Sequence, residues 1–170
     1  MGCDTGWHFA STVLFGAPFD STTSYRPGTR FGSSAIRRES YGIESYSPYQ
    51  DRDLLDGDVV DVGDLELCFG DSRAALDAIT EQTRLILASH KRPFMLGGEH
   101  LVTLGAFRAV AEKFPDVHVI HFDAHADLRE DYLGVSLSHA CVLRRCWELV
   151  GNGRIFQFGI RSGDREEFQW

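Results

Sequence analysis

Residues 121–129, with the sequence His-Phe-Asp-Ala-His-Ala-Asp-Leu-Arg, concentrate side chains that can bind metal ions. Asp123, His125 and Asp127 lie two positions apart, so an extended backbone would project all three side chains to one side. The small alanines between them let that backbone pack closely. Burying two carboxylates without a counter-charge is costly, and a metal cation removes that cost. The spacing therefore predicts a metal site, although a solvated acidic loop is the alternative for such a motif in isolation.

A further imidazole, His100, follows a predicted strand that ends in Gly97-Gly98. Because sites in parallel sheets gather at the carboxyl ends of the strands, we expect His100 to lie beside Asp123. Imidazole mixed with carboxylate oxygen suits Mn, Fe, Zn or Co better than Mg or Ca, and the absence of nearby cysteines argues against structural zinc. Two closely spaced ions can share a bridging water and acidify it to hydroxide at neutral pH.

The elements that must position these residues alternate between strands and helices. Strands are predicted at residues 12–17, 59–62, 93–97, 117–122 and 154–159. Helices are predicted from an Asp71 N-cap to about His90, from Leu101 to near Pro115, and after Ser138 as a plausible third cap. Residues 20–34 are predicted to form an ordered loop, and residues 35–55 give no firm element. This alternation implies right-handed βαβ units on a parallel sheet.

The composition sets broad limits on function. The chain has 170 residues, enough for one globular domain with a core, and a formal charge of −8, which speaks against nucleic-acid binding. No run approaches the roughly 20 apolar residues of a membrane span, and no signal peptide is recognisable, so the cytoplasm is expected. The four cysteines form no CxxC pair and indicate reduced thiols.

Several motifs in chain order carry a resemblance to a known family. They are Gly-Gly-Glu-His at 97–100, His-Phe-Asp-Ala-His-Ala-Asp at 121–127 and Ser-His at 138–139, with Ala-Pro-Phe-Asp at 17–20, Ser-Tyr-Arg-Pro-Gly-Thr-Arg-Phe-Gly at 24–32 and Gly-Ile-Arg-Ser-Gly at 159–163. The first three resemble the metal and catalytic motifs of the ureohydrolase (arginase/agmatinase) family. The others are similar to those of bacterial agmatinases in particular, and the likeness runs nearly end to end.

The resemblance implies an arginase/deacetylase-like α/β fold, a three-layer α/β/α arrangement around a mainly parallel sheet, with two Mn²⁺ ions in the active site. By position, His100 and Asp127 would bind one ion, His125 the other, and Asp123 would bridge both. His139 matches the histidine that shuttles protons in the family. A helix N-terminus disfavours imidazolium, so His139 is expected to stay neutral near pH 7.

The activity that the resemblance implies is manganese-dependent hydrolysis of a small cationic guanidino compound. Agmatine is the expected substrate, giving putrescine (a step of polyamine biosynthesis) and urea by attack of a metal-bridging hydroxide; guanidinobutyrate and arginine are the alternatives. Homo-oligomers are implied, with neither nucleic acid nor membrane as partner. Glu130 and Asp131 are candidates to attract the ammonium of agmatine, whereas Arg129 would repel it unless paired elsewhere.

One family motif is missing from these residues. Ureohydrolases carry a strand ending in Asp-x-Asp downstream of the motif at 159–163, and its carboxylates complete both metal shells. Four ligands do not satisfy two ions that each want five or six donors. We therefore expect residues 1–170 to form a single ureohydrolase-like domain, incomplete at the C-terminus and lacking its last strands. A non-catalytic scaffold or regulatory homologue with an unfinished metal site is the alternative, and a single-zinc deacetylase is a third hypothesis.

Two further polar residues, Glu99 and His121, lie beside the predicted ligands in the sequence. Glu99 is expected to hold a metal ligand in place rather than to act as a general base. His121 shares a strand face with Asp123 and is predicted either to support that carboxylate or to pack in the core.

Overall fold

The computed structural model describes residues 2–170, which form an alternating series of strands and helices. The strands are β1 (Thr12–Ala17), β2 (Tyr46–Ser47), β3 (Arg52–Asp53), β4 (Val59–Asp64), β5 (Arg92–Gly97), β6 (Val119–Phe122) and β7 (Ile155–Phe158). The helices are α1 (Gly32–Glu39), α2 (Ser72–Ala88), α3 (Val102–Lys113), α4 (Val142–Val150) and α5 (Arg165–Gln169). Within residues 2–170, no helix is both long and apolar enough to cross a lipid bilayer.

Hydrogen bonding groups the strands into two parallel sheets and a small hairpin. The first sheet has the order β4-β1-β5, the second pairs β6 with β7, and β2 pairs with β3 in antiparallel fashion. The predicted α/β class with parallel strands is confirmed. No ladder joins β5 to β6 within residues 2–170, where each is an edge strand of its own sheet.

The core lies between the first sheet and the helices packed on it. β1 is the central strand, and Val13, Phe15 and Ala17, which lie on one face of it, are fully buried. Helices α2 and α3 approach each other closely at Gly105, where an added Cβ would lie 2.8 Å from the Cβ of Ile79. This packing fixes the position of β5 and of the residues that follow it.

The second sheet presents different residues on its two faces. His121 of β6 is buried, whereas the alternate residues Ile120 and Phe122 are exposed. Phe156 and Phe158 of β7 are also exposed, and Phe158 stacks on Phe122 with 5.3 Å between ring centroids. The buried face therefore carries a histidine toward the interior, and the other face carries an aromatic surface.

Every predicted strand and helix is present, with most boundaries within two residues of those predicted. Asp71 caps α2 by accepting a hydrogen bond from the backbone N–H of Ala74. Ser138 does not cap in this way: its hydroxyl donates instead to Cys141 Sγ at 3.2 Å, and a 3₁₀ turn at His139–Cys141 precedes α4. The 3₁₀ turn lets the chain enter the helix without a side-chain cap.

Helix α1 lies where a loop and unassigned residues were predicted. Arg37 on this helix donates to both oxygens of Asp61, at 2.7 and 2.9 Å, and also pairs with Asp64. These partners are more than twenty residues away in sequence. A helix held by tertiary ion pairs is not revealed by its local apolar spacing, which explains the omission.

Candidate metal centre and its cleft

The segments that follow β1, β5, β6 and β7 surround one cleft with a volume of about 610 Å³. His100 and Asp123 lie on it, together with His125, Asp127 and His139. All five residues predicted to act in metal binding or catalysis therefore line the same cavity. Parallel strands produce this arrangement because their carboxyl ends point to the same edge.

The glycine before the Glu99-His100 pair allows that segment to lie against the end of β1. A Cβ added to Gly98 would lie 2.1 Å from the carbonyl oxygen of Phe19, so a larger residue cannot fit without displacing the backbone. The backbone N–H of Glu99 donates to the same oxygen at 2.8 Å. These contacts set the direction in which His100 leaves the strand.

The side chains of His100, Asp123 and Asp127 converge on one point. Nδ1 of His100 lies 2.6 Å from Asp127 Oδ2 and 3.7 Å from Asp123 Oδ2. With His121, these residues offer four donor atoms that all lie within 4.8 Å of one another. A mixed imidazole and carboxylate group of this size is suited to a divalent transition-metal ion.

The loop that carries Asp123 and Asp127 is braced on two sides. The carbonyl of Ala124 accepts from the N–H groups of Arg161 and Ser162, at 2.8 and 2.9 Å, and the Asp127 carbonyl accepts from the N–H of Leu143 at 3.0 Å. Asp127 has a left-handed backbone with φ of 54°, a conformation that Asp and Asn adopt more readily than most residues. The turn at Asp127 directs its carboxylate back toward His100.

His125 lies at the edge of this group. Its backbone N–H donates to Asp123 Oδ1 at 2.8 Å, and its ring nitrogen Nδ1 lies 3.4 Å from the same oxygen. The side chain is 64% exposed, unlike the buried Asp127. The structure thus places His125 next to the Asp123 carboxylate but on its solvent side, and its assignment to a second ion stays a prediction.

His121 belongs to the cluster, a placement that the sequence left undecided between support and core packing. The ring is buried, stacks on His100 with 5.1 Å between centroids, and directs Nε2 to within 3.4 Å of Asp123 Oδ2. Burial and the neighbouring His100 lower the pKa of His121 below its ordinary value. Burial opposes ionisation of Asp123, but the His125 N–H and the nearby imidazoles outweigh it and lower the pKa of that carboxyl.

His139 enters the cleft from the start of the 3₁₀ turn before α4. Its backbone N–H donates to Thr22 Oγ1 at 3.1 Å, and its ring meets Tyr132 edge-on with centroids 5.6 Å apart. Thr22 donates its hydroxyl and its backbone N–H to the buried carboxylate of Glu99. Burial raises the pKa of Glu99 above its ordinary value. Glu99 thus contacts Thr22, which in turn binds the backbone of His139. The sequence had predicted instead that Glu99 holds a metal ligand.

The charged residues after Asp127 are paired with other protein groups. Arg129 lies 3.5 Å from Asp164 and 3.4 Å from Glu167, so its charge is balanced although it lines the cleft. Glu130 pairs with Arg144 and Arg145 (2.8 and 3.2 Å), and Asp131 accepts from the Gly134 N–H at 3.0 Å. Glu130 and Asp131 lie outside the cleft lining, so the structure does not support the predicted contact with a substrate ammonium.

The wall opposite the metal-binding residues is a loop that is stabilised by hydrogen bonds between its own residues. Asp20, whose side chain is 1% exposed, accepts from Arg30 Nε at 2.7 Å and from the Gly28 N–H at 2.8 Å. The hydrogen bond from Arg30 is the main reason that the pKa of Asp20 lies below its ordinary value. This buried ion pair keeps the exposed residues Tyr25 and Arg26 at the rim of the cleft.

Comparison with known proteins places this geometry in a family. The profile of the arginase family matches residues 10–170. The chain is 51% identical to the agmatinase of Bacillus subtilis over 96% of its own length and 57% of that protein. It is 42% identical to the N(1)-aminopropylagmatine ureohydrolase of Thermococcus kodakarensis over 93% of its own length and 54% of that protein.

Solved structures agree with this assignment. The agmatine ureohydrolase of Thermoplasma volcanium superposes with a TM-score of 0.91 and 40% identity, covering 99% of this chain and 56% of that one. The arginase of Medicago truncatula superposes with a TM-score of 0.85 and 30% identity, covering 95% and 53%. The chain spans a little over half the length of the curated relatives it matches. By its sequence profile, its fold and the residues on its cleft, the chain belongs to the arginase family.

Proposed function

We propose that the whole protein is a manganese-dependent ureohydrolase that converts agmatine to putrescine and urea. The observation that carries this proposal is the convergence of His100, Asp123 and Asp127 at one point of the cleft. The chain that contains them shares 51% sequence identity with an agmatinase. Structural packing alone does not account for two carboxylates beside imidazoles in a partly buried position, because their mutual repulsion needs a cation to offset it.

The donor set fits divalent transition-metal ions. We propose that His100 and Asp127 hold one Mn²⁺, that His125 holds a second, and that Asp123 contacts both. Oxygen and nitrogen donors without thiolate disfavour soft metals, and among the remaining ions the family resemblance implies Mn²⁺. When bound, such ions neutralise the carboxylates and lower the pKa of a coordinated water toward neutrality.

We propose that His139 transfers the proton that the leaving amine requires. Breaking the guanidinium C–N bond demands protonation of the departing nitrogen, and an imidazole is the side chain best suited to transfer a proton near pH 7. His139 lines the cleft that contains the metal-binding residues, and its backbone is fixed through Thr22. Thr22 and Glu99 therefore act on His139 by positioning it.

The electrostatics of the cleft suit a substrate that is cationic at both ends. The chain carries a formal charge of −8, and the guanidinium of Arg129 is balanced by Asp164 and Glu167. An ammonium group therefore meets little repulsion from Arg129. Arginine, whose far end carries a carboxylate as well, gains less from the same field.

We further propose that the protein works in the cytoplasm as a homo-oligomer. The buried thiols of Cys141 and Cys146 fit a reducing compartment. A homo-oligomer is what the resemblance to the family implies. Light scattering coupled to size exclusion measures the oligomeric state directly, and a monomer at micromolar concentration would contradict the second part of this proposal.

The enzymatic proposal is tested by measuring urea release by the full-length protein after metal removal and after addition of MnCl₂. Agmatine, 4-guanidinobutyrate and arginine are compared at equal concentrations. Mn²⁺-dependent urea release with agmatine as the best substrate is expected. Activity that survives thorough chelation, or a clear preference for arginine, would overturn the proposal.

A further inference from the structure

Gln157 fixes the protonation of the imidazole ring of His121. The two residues are register partners on the neighbouring strands β6 and β7. The amide nitrogen of Gln157 lies 2.8 Å from the carbonyl oxygen of Ala126 and 2.9 Å from His121 Nδ1. Because a carbonyl oxygen only accepts, the group facing Ala126 is the NH₂ of the amide, and its second hydrogen points at Nδ1. Nδ1 must then accept, so the ring carries its proton on Nε2.

That proton faces Asp123. Nε2 of His121 is buried and lies 3.4 Å from Asp123 Oδ2, and within the described part of the chain it has no hydrogen-bond partner at closer range. A shift of about 0.2–0.4 Å brings the pair to the ordinary length of an N–H···O bond. The other oxygen of Asp123 already accepts from the His125 N–H at 2.8 Å. With the backbone N–H groups of His125 and Ala124 also bonded to this carboxylate, at least one of its lone pairs stays open to the cleft.

Resting on the metal site proposed above, we propose that His121 is a positioning residue for Asp123 and not a metal ligand. Its Nε2–H holds Oδ2, and Gln157 and the Ala126 carbonyl hold the ring in the tautomer that makes this possible. Carboxylates that bind metal ions are commonly oriented by hydrogen bonds of this kind, which fix the direction of the remaining lone pairs.

The competing hypothesis makes the opposite demand on the ring. For Nε2 to bind a metal ion it must be unprotonated, which moves the proton to Nδ1. The protonated Nδ1 of His121 and the amide NH₂ of Gln157 would then be two donors facing each other, with 2.9 Å between their nitrogen atoms. The position of a single proton therefore separates the two roles.

The first test is nitrogen NMR of the full-length, metal-free protein labelled with ¹⁵N-histidine, with the His121 signals identified by their loss in His121→Gln. A protonated Nε2 and an unprotonated Nδ1 are expected. A protonated Nδ1 overturns the proposal. This readout needs no activity, so it establishes the tautomer of His121 even if the protein releases no urea.

The second test is the affinity for MnCl₂, measured by calorimetry. His121→Gln keeps an N–H close to the position of Nε2 and is expected to bind within about threefold of the wild type, whereas His121→Leu loses roughly ten- to a hundredfold. His118→Leu, an exposed histidine just before β6, is the matched control and should bind like the wild type. Equal losses in the Gln and Leu variants would contradict positioning. If the Leu variant does not fold, the Gln variant together with the tautomer still decides.

Discussion

His100 and Asp127 meet at 2.6 Å between Nδ1 and Oδ2, although 27 residues separate them in the sequence. One leaves the end of β5 and the other lies in the loop after β6, so the contact joins two sheets that share no backbone ladder. Side chains of the candidate site therefore link the two sheets at this edge.

Substitution of Asp127 separates its backbone role from its charge. Asn tolerates the left-handed conformation at φ of 54°, so Asp127→Asn should fold normally, whereas Asp127→Ala should lose about 1–2 kcal/mol of unfolding free energy. Mn²⁺ at a hundredfold excess over its Kd should stabilise the wild type by about 2.7 kcal/mol. Most of that gain should be absent in both variants. Urea denaturation with and without MnCl₂ measures this, and full Mn²⁺ stabilisation of the Asn variant would exclude Asp127 as a ligand.

Thr22→Val should lower kcat by roughly tenfold with little change in Mn²⁺ affinity, because His139 loses the acceptor of its backbone N–H and proton transfer depends on its position. Thr22→Ser keeps the hydroxyl and should restore most of the rate. Steady-state kinetics with agmatine together with Mn²⁺ calorimetry provide both readouts. A fall in metal affinity that matches the fall in rate would place Thr22 in the support of the metal site instead.

The pairing of Arg129 predicts which nearby acids influence substrate binding. Asp164→Asn leaves Glu167 as the one carboxylate beside Arg129 and should raise the KM for agmatine severalfold without lowering kcat, because the less neutralised guanidinium repels a cation in the cleft. Glu130→Gln should leave KM unchanged, since Glu130 pairs with Arg144 and Arg145. The opposite pattern would show that Glu130 contacts the substrate.

Much of this site was accessible from sequence because its ligand motifs are short and local. The spacing of Asp123 and Asp127, and the position of His100 at a strand end, predicted that the three would meet, and they do. The role of His121 could not be chosen in the same way, since it depends on Gln157, which lies on another strand.

The remaining differences also have long-range causes. Helix α1 depends on ion pairs from Arg37 to Asp61 and Asp64, and no local pattern encodes those pairs. Glu130 was predicted near the substrate because it follows the motif directly, yet arginines of α4 bind it. Periodicity predicts the elements, whereas pairing between distant polar groups decides these details.

Cys146 should be unreactive in the folded protein. Burial raises its pKa to about 12 from an ordinary value of 9.0. Roughly one thiol in ten thousand is then ionised at pH 8. The folded state retains a proton that the unfolded chain releases, so this contribution to stability is complete below about pH 9 and is lost as the pH rises toward 12.

Alkylation with iodoacetamide at pH 8, followed by peptide mass spectrometry, checks this prediction. Cys68, which is exposed, should be modified quickly, and Cys146 only after denaturation. Modification of Cys146 in the native protein at the rate of Cys68 would show that α4 opens readily.

The most direct test of the metal site is the number of Mn²⁺ ions that the full-length protein retains at equilibrium, measured by dialysis and elemental analysis for the wild type and for Asp123→Asn. Because Asp123 is proposed to contact both ions, we predict two ions per chain in the wild type and a large loss of both in the variant. Equal manganese content in the two proteins, or none in the wild type, would contradict the assignment of this cluster as the metal centre.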